Sequence, residues 1–153
     1  MNLVKICGIT EEQEVEYVNE AGVDFMGMVM FFPKSKRNIT VEKASSLIKK
    51  LNPAVTSVAV TVEPTLDQIR EIEAAGIQMI QIHGDISQEL LQEIHIPVIK
   101  AFNVHDLSSY EKYHQADIVK GYIFDAQTPG SGKTFDWSVP VSYTHLRAHE
   151  TDQ

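Results

Sequence analysis

Val4-Lys5-Ile6-Cys7-Gly8-Ile9-Thr10 is a short apolar run that carries a lysine, ends on a thiol and stops at a glycine. Behind it, Thr10 to Gln13 has the Thr-x-x-Gln form of a capping box, so a helix is expected to open there. α/β proteins place their chemistry at such a strand exit, where a glycine turn leads into a helix. Cys7 is the only cysteine of the chain. A lone cysteine also serves as a small buried hydrophobe. The matching position at the far end weighs against that reading, because Tyr122-Ile123-Phe124-Asp125 is another apolar strand that ends on a reactive group.

The same alternation fills the stretch between them. Strands are expected over 3–7, 25–30, 55–62, 77–82, 98–102 and 122–125. Helical spacing joins Val15, Val18 and Ala21 before Gly22, and Val41, Ala44, Leu47 and Leu51 before Asn52-Pro53. A third helix opens at a second capping box, Thr65-Leu66-Asp67-Gln68, and stops at Gly76. A fourth holds Leu90, Leu91 and Ile94 ahead of Pro97, and a weaker fifth is expected over 106–113.

Serial βα units imply an α/β fold with a parallel sheet. A doubly wound open sheet and a TIM (β/α)8 barrel both fit the order. Lys5 and Lys100 lie mid-strand, and a barrel, whose interior opens onto its active face, accommodates them better than a sheet sandwiched between helices. Cys7, Arg37, His83 and Asp125 all fall at or just beyond the C-terminal ends of expected strands, which a barrel gathers into one mouth. Singly, each has a plain alternative: Arg37 is one of several loop charges, His83 satisfies a turn, and Asp125 caps a helix.

Composition narrows the function classes. The chain has 153 residues, a length suited to one domain, and its 13 basic against 21 acidic residues give a net charge of −8. That balance argues against a broad nucleic-acid or anionic-membrane surface. One cysteine permits neither a disulfide framework nor a multi-cysteine zinc site, and suits a reducing compartment. No signal-peptide pattern opens the chain, the longest apolar stretch (25–32) is too short for a bilayer, and a cytoplasmic location is expected. Gly130-Ser131-Gly132-Lys133-Thr134 resembles part of a Walker A loop, but position 127 is Gln where that motif needs glycine, so a mobile glycine loop over the mouth is the better account. His145, His149 and Glu150 match no zinc-protease order.

Taken together, Lys5-Ile6-Cys7-Gly8-Ile9-Thr10, Phe32-Pro33-Lys34-Ser35-Lys36-Arg37, Gln81-Ile82-His83-Gly84, Ile99-Lys100-Ala101 and Phe124-Asp125 resemble the phosphoribosylanthranilate isomerase family, in its order. Gly130-Ser131-Gly132-Lys133-Thr134-Phe135-Asp136-Trp137 extends the likeness, which covers residues 1–138. The resemblance implies a TIM barrel and an Amadori rearrangement in tryptophan biosynthesis. N-(5-phosphoribosyl)anthranilate would become 1-(2-carboxyphenylamino)-1-deoxyribulose 5-phosphate, with no cofactor and no metal. It implies that Cys7 removes the sugar C2′ proton, that Asp125 protonates the furanose ring oxygen, and that Arg37 holds the anthranilate carboxylate. His83 would line the substrate pocket. Lys5, on the strand face of Cys7, is expected there too, as a cation beside the thiol. The only partner implied is this small phosphosugar substrate, with no nucleic acid and no membrane, and the oligomeric state stays open.

An eightfold barrel takes roughly 200–250 residues. Only six strands are expected here, so the barrel is expected to be incomplete, without strands seven and eight. Residues 139–153 continue no element of the family and read as a tail foreign to it. Two alternatives follow, an inactive barrel fragment and another phosphosugar enzyme of the same fold. Cys7 paired with Asp125 speaks against the second, whose members usually rely on lysine and glutamate.

Overall fold

The computed structural model describes residues 3–103 and 109–125, and there each apolar run becomes a strand of one parallel sheet. The elements run β1 (Lys5–Cys7), α1 (Glu12–Ala21), β2 (Phe25–Met30), β3 (Asn38–Ile39), α2 (Val41–Ile48), β4 (Thr56–Val62), α3 (Leu66–Ala74), β5 (Met79–His83), α4 (Gln88–Gln92), β6 (Val98–Asn103), α5 (Tyr110–His114) and β7 (Val119–Asp125). The expected glycine loop at 130–134, the expected tail at 139–153 and the start of the expected fifth helix lie outside the described residues.

Strand order decides between the two architectures left open by the sequence. It is β1-β2-β4-β5-β6-β7, with the short β3 pairing beside β2. A doubly wound sheet reverses its order at a switch point. This one never reverses, which is the winding of a TIM barrel short of closure. Its two faces carry separate cores. Outward-facing Met26, Met28, Ile80 and Ile82 pack in one cluster with helix residues such as Val15 and Leu47. Inward-facing Phe25, Val58, Val60, Met79, Ile99 and Ile123 form a second cluster without any helix residue. A core filled by strand side chains alone is the packing of a barrel interior.

Each of four strands is followed at once by a residue in the left-handed region: Gly8 (φ 88°), Phe31 (φ 57°), Glu63 (φ 44°) and Gly84 (φ 76°). The turns therefore cluster at the C-terminal ends of β1, β2, β4 and β5. Phe31 and Glu63 bear the strain of that conformation, of order 1–2 kcal/mol each, which glycine escapes.

Three expectations need correction. The cap of α1 is Glu11, not Thr10, because Glu14 Oε1 reaches back to accept from the backbone N–H groups of both Thr10 (2.9 Å) and Glu11 (3.1 Å). The box at α3 forms as expected, with Thr65 Oγ1 accepting from Gln68 N at 3.2 Å and Gln68 Oε1 from Thr65 N at 3.0 Å. Lys100 does not point into the interior: it is out of phase with Ile99 and Ala101 and faces the helices. There its Nζ lies 4.5 Å from the Phe102 ring centre and 4.8 Å from that of Tyr113, a cation–π box in which the ammonium stays buried. His83 is the last residue of β5 rather than a residue beyond it.

Candidate active site

The site is assembled on the inward parity of the strands, at their C-terminal ends. On β1, Lys5 and Cys7 share that face, and Gly27 pairs with Cys7 across to β2. A Cβ on Gly27 would meet Cys7 Sγ at 3.0 Å and Lys5 Cε at 3.2 Å, so the glycine gives both side chains their room. The Cys7 residue is exposed, whereas Lys5 Nζ is buried. Burial pushes the Lys5 pKa down, and its interaction with Cys7, which includes a hydrogen bond, opposes that shift. The accessible thiol thus stands against a lysine Nζ that is shielded from solvent.

Arg37, in the loop between β2 and β3, bends back over β1 and donates from Nη1 to the Gly8 carbonyl at 2.9 Å. The same guanidinium helps hold the Glu14 carboxyl below its usual range, behind the hydrogen bonds that Thr10 and Glu11 donate. Arg37 is therefore tied to the turn that follows Cys7, and only part of its donor fork is spent there.

Gln81 and His83 occupy successive inward positions of β5, one wholly buried and the other 4% exposed. Gln81 Nε2 lies 2.7 Å from His83 Nε2. Burial, then the charges of Lys5 and Lys100, push His83 down to about 4, so the ring is neutral at pH 7. The effect of Lys5 is informative about shape. β1 and β5 stand three strand spacings apart, about 14 Å in a flat sheet. Inward curvature brings their side chains into electrostatic reach.

Asp125 closes β7, its backbone paired with Asn103 at the end of β6. Cys7 and Asp125 thus end the first and last strands of the sheet, at the same end. A cavity of about 380 Å³ lies elsewhere, between α4 and α5, lined by Leu91, Ile94, Lys112 and Ala116 among others, and none of the candidate residues borders it. Among the described residues no three His, Cys, Asp or Glu side chains converge as metal ligands, and no helix is long and apolar enough to cross a membrane.

Gln81 and Gly27 are the site residues that sequence reasoning left without a role. The available signal for Gln81 was its two-residue spacing from His83 in a strand, which puts both on one face. Gly27 carried a weaker one, since an isolated glycine inside a strand marks a close approach.

Known proteins resemble this chain in sequence and in fold. A family model described as N-(5'phosphoribosyl)anthranilate (PRA) isomerase matches residues 4–148. The N-(5'-phosphoribosyl)anthranilate isomerase of Streptococcus gordonii is 40% identical over 138 residues, which cover 90% of this chain and 68% of its own. That of Geotalea uraniireducens is 37% identical over 146 residues, or 92% and 71%. The crystal structure of phosphoribosyl anthranilate isomerase from Thermus thermophilus superposes with a TM-score of 0.77 at 29% identity, over 94% of this chain and 73% of that one. A phosphoribosyl anthranilate isomerase solved in complex with reduced 1-(o-carboxyphenylamino)-1-deoxyribulose 5-phosphate superposes with a TM-score of 0.73 at 34% identity, covering 94% and 70%.

Proposed function

Because the chain belongs to the phosphoribosylanthranilate isomerase family, we propose that it rearranges N-(5-phosphoribosyl)anthranilate with Cys7 as base and Asp125 as acid. The observation that carries this reading is the accessible Cys7 thiol at the exit of β1, with the buried Lys5 ammonium against it and Gly27 opposite.

The chemistry suits these groups. The Asp125 carboxyl gives its proton to the furanose ring oxygen, the C1′–O bond breaks, and the anilino nitrogen lone pair forms a C1′=N iminium. That cation acidifies C2′–H, so a modest base suffices. The Cys7 thiolate takes the proton, and the C–H electron pair forms the C1′=C2′ bond of an enolamine. Tautomerisation to the ketone completes the product and leaves a carboxylate on Asp125 and a thiol on Cys7. Arg37 receives the anthranilate carboxylate on the part of its fork that Gly8 does not use. Lys5 and His83, on the same inward face, complete the substrate-binding set.

Cys7→Ala and Asp125→Asn are each expected to lower kcat by roughly 10²–10⁴-fold while KM stays within a few-fold. Steady-state turnover of N-(5-phosphoribosyl)anthranilate, followed by loss of its fluorescence, measures both. Near-normal kcat in either variant removes that residue from its role.

A further inference from the structure

We propose that Gln81 is a positioning residue that locks His83 into its neutral Nδ1–H tautomer, so that the ring offers the substrate a hydrogen-bond donor. The second half of this statement rests on the proposed function; the tautomer itself does not.

Three observations carry it. The amide Nε2 of Gln81 can only donate, and it lies 2.7 Å from His83 Nε2. The ring nitrogen that accepts that bond has no proton, which leaves the single proton of a neutral imidazole on Nδ1. Nδ1 itself has no hydrogen-bond partner among the described residues, so its N–H is available to a ligand.

The second observation is what Gln81 forgoes. It stands between Val60 and Ile99 in the inner row, wholly buried, and its Oε1 has no hydrogen-bond partner among the described residues. An apolar side chain would suit that row better, so fold stability does not account for the amide. The third is rigidity. Thr61 Oγ1 donates to the Gln81 carbonyl at 2.8 Å, and Glu63 N donates to the His83 carbonyl at 3.0 Å. The backbone that carries the pair is thereby held on both sides of the interaction.

The reversed amide would set Oε1 against the ring and require a proton on Nε2, so the tautomer reads the arrangement directly. The full chain labelled with ¹⁵N-histidine, in a long-range ¹H–¹⁵N correlation spectrum at pH 7, reports both nitrogens. His83 is assigned among the six histidines by the signals lost in His83→Gln. The expected result is a protonated Nδ1 and a bare Nε2. Gln81→Glu, which presents only acceptors, is expected to move the proton to Nε2, and Gln81→Leu to release the ring to a mixture. A protonated Nε2 in the unaltered chain overturns the proposal. So does an unchanged Nδ1–H pattern in whichever of the two variants folds. In turnover, Gln81→Leu is expected to raise KM about tenfold with kcat within about threefold. A chain with the expected tautomer but no turnover would count against the proposed function, not against the role of Gln81 on His83.

Discussion

His83 shows how a single side chain ties the site to the stability of the fold. Its folded pKa is about 4 against 6.5 for the free side chain. Above pH 6.5 the ring is neutral both folded and unfolded, and it contributes no penalty. As pH falls through 6.5 the unfolded chain takes up a proton that the folded chain refuses until about 4, so stability is lost across that window. The linkage is worth about 2 kcal/mol by pH 5 and about 3 kcal/mol once both states are protonated. Urea unfolding at pH 7 and pH 5 checks this by comparison with His83→Gln, whose loss between the two pH values is expected to be smaller by about 2 kcal/mol. Equal pH dependence would mean that His83 titrates normally in the folded chain.

At the scale of elements, the turns behind the strands do more than reverse the chain. Gly8 has φ 88°, and a Cβ there would meet Arg37 Cδ at 2.5 Å. Gly22, which ends α1 at φ 67°, has nothing within 4 Å of such a Cβ. Gly22→Ala therefore carries only the left-handed penalty, about 1 kcal/mol, and Gly8→Ala carries the same penalty plus the displacement of Arg37. Thermal melts of the two variants are expected to put Gly8→Ala lower, with a raised KM as well, and equal melting points would show that Arg37 yields freely. Such turns were only partly legible in the sequence. Gly8 and Gly84 announce themselves as glycines, whereas nothing in the residue types of Phe31 or Glu63 signals a positive φ. α3 is legible because its buried Ile69 and Ile72 follow the helical spacing, and β4 because a parallel strand buried on both faces reads as a continuous apolar run. The box of α1 begins one residue later than Thr-x-x-Gln implies because Thr-x-x-Gln at 10 and Glu-x-x-Glu at 11 compete, and the backbone lets the Glu14 carboxylate, not the Gln13 amide, reach back. Lys100 was misplaced because a two-residue period shows which side chains share a face, not which face is the interior. Its long stem and the rings of Phe102 and Tyr113 let the helix side hold an ammonium.

For the molecule as a whole, the curvature of the sheet is the property that brings Lys5 of β1 within reach of His83 of β5, and it can be tested electrostatically. Two lysines depress His83, and Lys5 outranks Lys100. By topology the order should be the reverse, since β6 with Lys100 is hydrogen-bonded to β5, while β1 with Lys5 lies beyond β4 and β2. Lys100 points to the opposite face, behind the strand backbone, and Lys5 shares the inner face with His83. In a flat sheet the separation of about 14 Å would exceed the screening length of about 8–10 Å, and Lys5 would have little effect. Lys5→Met is thus expected to raise the His83 midpoint from about 4 part of the way toward 6.5, with burial holding back the rest. The rise should exceed that in Lys100→Met. Both midpoints can be followed through the imidazole resonances during acid titration. A larger response to Lys100→Met, or none to Lys5→Met, would describe a sheet too flat to bring its first and fifth strands onto a shared ligand. The acid–base pairing of Cys7 with Asp125, at still wider strand separation, would then fail on geometry before any kinetic test of it.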